Sequence, residues 1–170
     1  MSRTRSISTA IVLALLVGLL VQAGTAGAGT ANILKARTMV GVPQAFTGST
    51  NAAAIRGISG GGIPWIVGRS KVVLSVNGHL RIKVNGLVLA SGALAGTNPV
   101  GSFRAIVSCL TSDAMVANVM TAEFPATTGP ATAGGGKARF QGDVSLPYPC
   151  IAPIVFVTSQ TGAWFASTGG

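Results

Sequence analysis

The two cysteines limit most strongly what this chain can fold into, because each adjoins an apolar run with β-favouring residues. Cys109 ends the run 103–109, and Cys150 begins the run 150–157. β-Branched and aromatic residues of this kind favour strands. We therefore predict two core strands joined by a Cys109–Cys150 disulfide. Such a bond closes about 40 residues and stabilises the fold by roughly 4 kcal/mol in the chain-entropy model. The alternatives are two buried free thiols or bonds to other chains.

The rest of the chain alternates short apolar runs with loops rich in Gly, Pro, Ser and Thr. No amphipathic pattern long enough for an ordinary helix follows the N-terminal segment, although Met115, Val116, Val119 and Met120 would suit one helical turn within 114–124. About eight short strands of this kind predict an all-β, single-domain antiparallel β-sandwich, Ig-like or jelly-roll-like, with one disulfide. A closed β-barrel is the alternative fold.

The predicted strands are 32–46, 63–67, the two strands of a hairpin within 69–89, 103–110, 138–146, 150–157 and 163–166. In the first strand, Leu34, Ala36, Thr38 and Val40 are expected on one face, since side chains alternate along a strand. Long loops are predicted at 47–62, 90–101 and 125–136.

The hairpin within 69–89 has the clearest pattern. Asn77-Gly78 normally indicates a two-residue turn, but that register would place Leu74 opposite Arg81 and mix the two faces. A three-residue loop, with Gly78 or a neighbour at positive φ, keeps one face apolar. The other face then carries four cations together: Arg69, Lys71, Arg81 and Lys83. Lys137 and Arg139 either extend this group or form a second one.

The N-terminal residues 1–28 have the layout of a secretory signal peptide. Arg3 and Arg5 precede an apolar run from Ala10 to Val21, and small residues follow. This order of basic, apolar and small residues predicts cleavage near Ala28 and a secreted or extracellular protein, with the β-sandwich domain formed by 29–170. The membrane is then involved only through the signal peptide before cleavage. An uncleaved anchor is the alternative.

Charged residues make up only 9% of the chain and are mostly basic, with a formal net charge of +9. Without the signal peptide the charge is +7, because that segment holds two of the twelve Lys and Arg residues and none of the three acidic ones. A basic surface attracts anionic polymers. The same residues could instead serve only to keep a β-protein soluble and to protect its edges.

The sequence does not predict an enzyme, a cofactor or a metal site. His79 is the single histidine and sits at the hairpin tip, and bridged cysteines cannot act as thiolate ligands. The G-x-S-x-G match around Ser59 lies in a glycine-rich loop and lacks the strand–turn–helix context of a nucleophile elbow. The three carboxylates are Asp113, Glu123 and Asp143; a hydrolase would need two of them to face each other.

The large aromatic residues Trp65, Trp164, Phe165 and Tyr148 are expected to be core anchors rather than a carbohydrate site. Because Trp164 and Phe165 are neighbours on a strand, their rings point to opposite faces, which leaves one of them free to be exposed. The hairpin carries no aromatic residue between its cations, so sequence-specific nucleic-acid recognition is not predicted.

The stretches 96–110 (GTNPVGSFRAIVSCL) and 146–159 (LPYPCIAPIVFVTS) resemble segments of small secreted bacterial β-proteins of unassigned function. The resemblance covers about 55–169. It implies export and one compact β-domain, and it implies no catalytic residue or ligand.

These features together predict a secreted or cell-surface module that binds or has a structural role, with Arg69, Lys71, Arg81 and Lys83 as candidate contacts for an anionic envelope polymer. One alternative is a secreted inhibitor or effector that presents a loop to an extracellular protein. The other alternative is a hydrolase that uses Asp and Glu.

Overall fold

The computed structural model describes residues 31–48 and 54–169, so the predicted signal peptide lies outside the described residues. In these ranges antiparallel strands dominate, and the helical segments are the short 3-10 turns Gln44–Phe46 and Ala131–Ala133. The strands are β1 (Asn32–Ala36), β2 (Val40–Gly41), β3 (Trp65–Ile66), β4 (Arg69–Ser75), β5 (His79–Asn85), β6 (Val88–Leu89), β7 (Thr97–Asn98), β8 (Ser102–Leu110), β9 (Val116–Met120), β10 (Phe124–Pro125), β11 (Gly129–Pro130), β12 (Ala138–Asp143), β13 (Ile151–Thr158) and β14 (Trp164–Ser167).

Two main sheets form a β-sandwich. One sheet has the order β1-β4-β5-β12, and the other has the order β10-β8-β13-β14-β2. Strand β9 also pairs with β8, at residues 106–110, whereas β10 pairs with residues 102 and 103. Two-stranded ladders β3-β6 and β7-β11 complete the pairing of the described strands. Among the described residues each sheet stays open at its edges, so the predicted all-β sandwich is confirmed and the closed alternative is wrong.

The core lies between the facing sides of the two sheets. β4 and β5 contribute Val72, Leu74, Leu80 and Ile82, all fully buried. The opposite sheet contributes inward side chains that alternate along its central strands: Phe103, Ala105, Val107, Val155, Val157 and Phe165. This alternation buries one face of the four-stranded sheet and leaves its other face in solvent.

The hairpin has the predicted register. Leu74 lies opposite Leu80 and Val72 opposite Ile82, which leaves the three-residue loop 76–78. Gly78 has φ +84°, and its N–H donates to the Ser75 carbonyl oxygen at 3.0 Å. Keeping the apolar side chains on one face therefore outweighed the turn preference of Asn-Gly.

The disulfide joins Cys109 and Cys150, whose Cα atoms are 5.0 Å apart. It ties neighbouring strands, because β8 and β13 pair directly, with Val107 opposite Val155. A disulfide is typical of proteins that fold in an oxidising compartment. Within the residues that the structure describes, no helix is long and apolar enough to cross a bilayer.

One prediction about the strands is wrong. Residues 32–46 do not form one strand, since β1 pairs β4 in one sheet and β2 pairs β14 in the other. The chain changes sheets between them, which buries Met39 and Val42 and leaves Val40 exposed. The segment 114–124, whose pattern would also suit a helical turn, forms the strand β9 instead. This strand pairs with β8 and satisfies backbone groups of β8 that a helix would leave without partners.

The described part of the 47–62 loop covers the outer side of the six-stranded sheet. Ile55 and Ile58 exchange backbone hydrogen bonds of 3.1 and 3.0 Å around a tight turn, and Ile58 is buried. The Ser59 carbonyl oxygen then accepts from the Trp164 N–H at 2.9 Å. One sheet is therefore covered on both sides, while the four-stranded sheet is covered on one.

Candidate anion-binding face

The uncovered side of the four-stranded sheet carries most of the positive charge of the described residues. In β5 the buried residues Leu80, Ile82 and Val84 alternate with the exposed residues Arg81 and Lys83. The same alternation in β4 exposes Arg69 and Lys71. All four predicted cations therefore stand on one face, as the hairpin register requires.

The strand order brings further cations beside the hairpin. Arg139 on β12 lies directly opposite Lys83, which in turn lies opposite Lys71 on β4. Lys35 on β1 lies opposite Val73, whose other partner is Arg81. We call this surface the basic face and define it by its six cations: Lys35, Arg69, Lys71, Arg81, Lys83 and Arg139.

Among the described residues, the cations of the basic face have no carboxylate partner. In the described part of the chain the salt bridges are His79–Asp143, at 2.8 Å, and Arg104–Glu123, at 3.1 Å. Neither includes a residue of the basic face. Neighbouring strands are about 5 Å apart, so like charges at Lys71, Lys83 and Arg139 follow one another at that spacing and attract anions jointly.

Three shallow depressions follow one another across this side of the sheet. The first, of about 400 Å³, is bordered by residues that include Arg81 and the paired side chains of His79 and Asp143. The second, of about 140 Å³, is formed by Lys71, Val73, Arg81 and Lys83. The third, of about 380 Å³, shares Lys83 with the second and continues to Arg139 and Lys137. Because neighbouring depressions share residues, the surface offers a continuous track rather than an isolated pocket.

His79 lies beside the hairpin loop, where the sequence places it, and it has a side-chain partner that the sequence does not show. Its Nδ1 lies 2.8 Å from Oδ1 of Asp143, which faces it across β5 and β12. The His79 backbone N–H donates to Ser75 Oγ at 3.0 Å. The sequence shows both residues at outward positions but does not show that β12 is the neighbour of β5, and so the pair was missed.

The three carboxylates are placed separately. Asp143 bonds to His79 on the four-stranded sheet, whereas Glu123 accepts from Arg104, Ser102 and Gln160 at 3.0–3.1 Å beside the other sheet. Asp113 lies in the exposed turn between β8 and β9. No group of three or more His, Cys, Asp or Glu residues that could hold a metal occurs among the residues that are described.

The aromatic residues are mainly core anchors. Trp65 stacks on Phe165 with ring centroids 4.1 Å apart, and both rings are buried. Trp164 is also buried, against Phe46 and Phe156. Neither Trp164 nor Phe165 is exposed: Phe165 packs on Trp65, and Trp164 is covered by Phe46 of the 3-10 turn Gln44–Phe46.

Tyr148 is 95% exposed and does not anchor the core. In β1, β4, β5 and β12, no Phe, Tyr or Trp occupies an outward position. These strands contain one such residue, Phe140 on β12, and it faces inward. The basic face therefore offers cations but no aromatic rings on which bases could stack. Such a surface suits contacts with the charged groups of a polymer better than contacts with nucleic-acid bases.

Two of the predicted loops are fastened to each other. β7 and β11 pair 90–101 with 125–136. The buried Asn98 side chain donates to the Val100 and Thr127 carbonyl oxygens at 2.8 and 2.9 Å, and its Oδ1 accepts from the Val100 N–H at 3.0 Å. These loops form a fixed surface around the edge of β12.

Comparison with known proteins gives no further assignment: no family model, no curated protein and no solved structure matches this chain.

Proposed function

We propose that this protein is an exported, non-catalytic binding module that holds an anionic polymer of the cell envelope on its basic face. The candidate contacts are the four hairpin cations, Arg69, Lys71, Arg81 and Lys83, with Lys35 and Arg139 beside them. The observation that carries the proposal is that all six lack a carboxylate partner among the described residues. Unpaired cations on one face create a potential that no local ion pair cancels.

We propose an extended ligand because the three depressions together form a track along the surface. A small molecule would be held by an enclosed pocket with a mostly apolar lining, whereas the track is shallow and its lining is largely polar and charged. A linear polyanion can follow the track and contact several cations at once. Its binding gains from the release of the counterions that those charges held, so it weakens as salt is raised.

Export follows from the N-terminal segment and agrees with the disulfide. Arg3 and Arg5 before the apolar run, and the small residues near Ala28, are the features that a secretion system reads. The Cys109–Cys150 bond is most stable outside the reducing cytosol. Outside the cell the available polyanions are envelope polymers, which is why we propose that class over nucleic acid.

The proposal assigns no catalytic step. Asp143 and Glu123 each have their own partners on different sheets, so neither faces the other across a substrate. The His79–Asp143 pair is the nearest approach to a catalytic arrangement. The hydroxyl that bonds to this pair's backbone, Ser75 Oγ, already accepts from the His79 backbone N–H, and Ser75 is buried.

The test is binding of the exported protein to isolated bacterial envelope across a salt series. The comparison is a triple variant, Lys71→Gln with Arg81→Gln and Lys83→Gln. We expect steep weakening of wild-type binding with salt and a loss of at least about tenfold in the variant at about 0.15 M salt. The matched control exchanges the same three residues for the other cation, Lys71→Arg with Arg81→Lys and Lys83→Arg, and should retain most of the binding.

Equal, salt-insensitive binding by the wild type and the neutral triple variant would overturn the proposal. That result would favour the alternative in which a loop is presented to a protein partner. The loop 90–101 would then be examined first, since Leu94 at its tip is 52% exposed.

A further inference from the structure

The recess in the middle of the basic face has a specific construction. Its volume is about 140 Å³, and it is formed by Lys71, Val73, Arg81 and Lys83. Val73 is half-buried and forms the floor. Arg81 lies directly opposite Val73 on β5, Lys71 lies two residues earlier on β4, and Lys83 lies opposite Lys71. Three cations therefore surround one apolar residue.

The recess is the smallest of the three depressions, at about 140 Å³. It lies between the other two, with which it shares Arg81 and Lys83. A single oxyanion group can enter it between the three cations. The polymer backbone would then lie along the neighbouring depressions, with one of its charged groups in the recess.

The three cations also match one anion geometry better than another. A carboxylate offers two oxygens in one plane, which suits a single Arg fork. Phosphate and sulfate groups offer oxygens in several directions, so one Arg fork and two Lys point charges can each meet a different oxygen. No acidic residue lines the recess to oppose such a group.

We infer that this recess is a subsite for one tetrahedral oxyanion of the polymer, a phosphate or sulfate ester group. The inference rests on the proposed function, since it names the charged group that the basic face selects. It predicts that phosphate- or sulfate-bearing polymers are preferred over uronate polymers of equal charge.

The first test compares three polymers of similar length and charge: inorganic polyphosphate, dextran sulfate and polygalacturonate. We expect the wild-type protein to bind at least one of the first two about tenfold or more tightly than polygalacturonate at equal salt. The comparison between polyphosphate and dextran sulfate also identifies the anionic group. Tighter binding of polyphosphate assigns phosphate, and tighter binding of dextran sulfate assigns sulfate.

The second test fills the recess without changing charge. Val73→Phe should abolish the preference and leave binding at the polygalacturonate level, because all three cations remain. Val76→Phe is the matched control: Val76 is exposed in the hairpin loop and does not line the recess, so the preference should persist.

A third test needs no variant. In wild-type protein, inorganic phosphate or sulfate should shift the amide resonances of Val73 and Arg81 saturably, and acetate at equal ionic strength should not. Equal responses to the anions, or equal affinity for all three polymers, would overturn the subsite and leave the basic face as a general anion binder. Binding to none of the polymers would instead overturn the proposed function itself.

Discussion

At the scale of single residues, Gly78 and Gly92 show how the surroundings of a glycine determine the loss of stability that an added side chain would cause. Both have φ +84°, in the left-handed region that favours glycine. A Cβ on Gly78 would stand 2.0 Å from the Val144 carbonyl oxygen, whereas a Cβ on Gly92 would meet nothing within 4 Å. The Gly78 carbonyl oxygen also accepts from the Val144 N–H at 3.0 Å. The hairpin tip is thus held tightly against the chain that follows β12.

We expect Gly92→Ala to lower the free energy of unfolding by about 1 kcal/mol, the cost of the left-handed backbone alone. Gly78→Ala should lower it by a further ~1–3 kcal/mol, because the new methyl group forces the loop away from Val144. Urea unfolding of both variants measures the difference. Equal losses would mean that the hairpin tip is not in close contact with Val144.

At the scale of elements, β8 and β13 are the paired central strands of the larger sheet. They pair over most of their length, from Thr158 opposite Arg104 to Ile151 opposite Leu110. The disulfide lies at one end of this pairing, where Cys109 is fully buried. It closes the long connection that carries β9 to β12, with a sequence separation of 41 residues.

Replacing both cysteines with alanine should lower the free energy of unfolding by about 4 kcal/mol, since the unfolded chain regains the entropy that the bond removes. Chemical denaturation of the variant beside the oxidised protein measures this. Wild-type protein unfolded in the presence of a reductant is the control and should resemble the variant. An unchanged unfolding midpoint in both, or two free thiols in the native protein by intact mass, would contradict the prediction.

At the scale of the whole molecule, six cations lie together on one side of the four-stranded sheet. That sheet also carries Asp143, which is paired with His79, whereas Glu123 and its partner Arg104 belong to the other sheet. Lys83 stands between Lys71 and Arg139, with a like charge directly opposite on each side. Like charges in that arrangement are destabilising. A surface that attracts polyanions therefore costs stability when no anion is bound.

Lys83→Gln should raise the free energy of unfolding by a few tenths of a kcal/mol at low ionic strength, because it removes two repulsive neighbours. The gain should shrink at about 1 M salt, where screening acts over about 3 Å. Arg69→Gln is the matched control: the partner opposite Arg69 is the neutral Asn85. Urea unfolding at the two salt concentrations measures both variants. A gain for Lys83→Gln that does not depend on salt would contradict the electrostatic reason.

Several elements could be predicted because their signals are local. The alternation of Leu80, Ile82 and Val84 with Arg81 and Lys83 determined both the strand and its outward face, and matching faces set the hairpin loop. The chain between Ala36 and Val40 gave no such signal. A strand that changes sheets keeps its composition while its partners change, so Val40 was placed on the same face as Leu34 and Ala36, although it is exposed and they pack against the core.

The candidate site was likewise only partly predictable. The four hairpin cations were found from one stretch of chain. Lys35, and the pairing of His79 with Asp143, needed the neighbours of the hairpin to be known. Those neighbours come from strands that are distant in sequence, and their pairing leaves no pattern within either segment.

The sequence by itself determined that this protein is built from short strands, that Cys109 and Cys150 lie in the same core, and which residues of the hairpin face solvent. These follow from side-chain alternation and burial, which act over a few residues. Only the tertiary structure decided that β1 and β12 flank the hairpin and turn four cations into a basic face of six with a recess at its centre. The physical reason is that backbone hydrogen bonds between strands do not depend on side-chain identity. Packing of the whole sandwich therefore chooses which strands become neighbours.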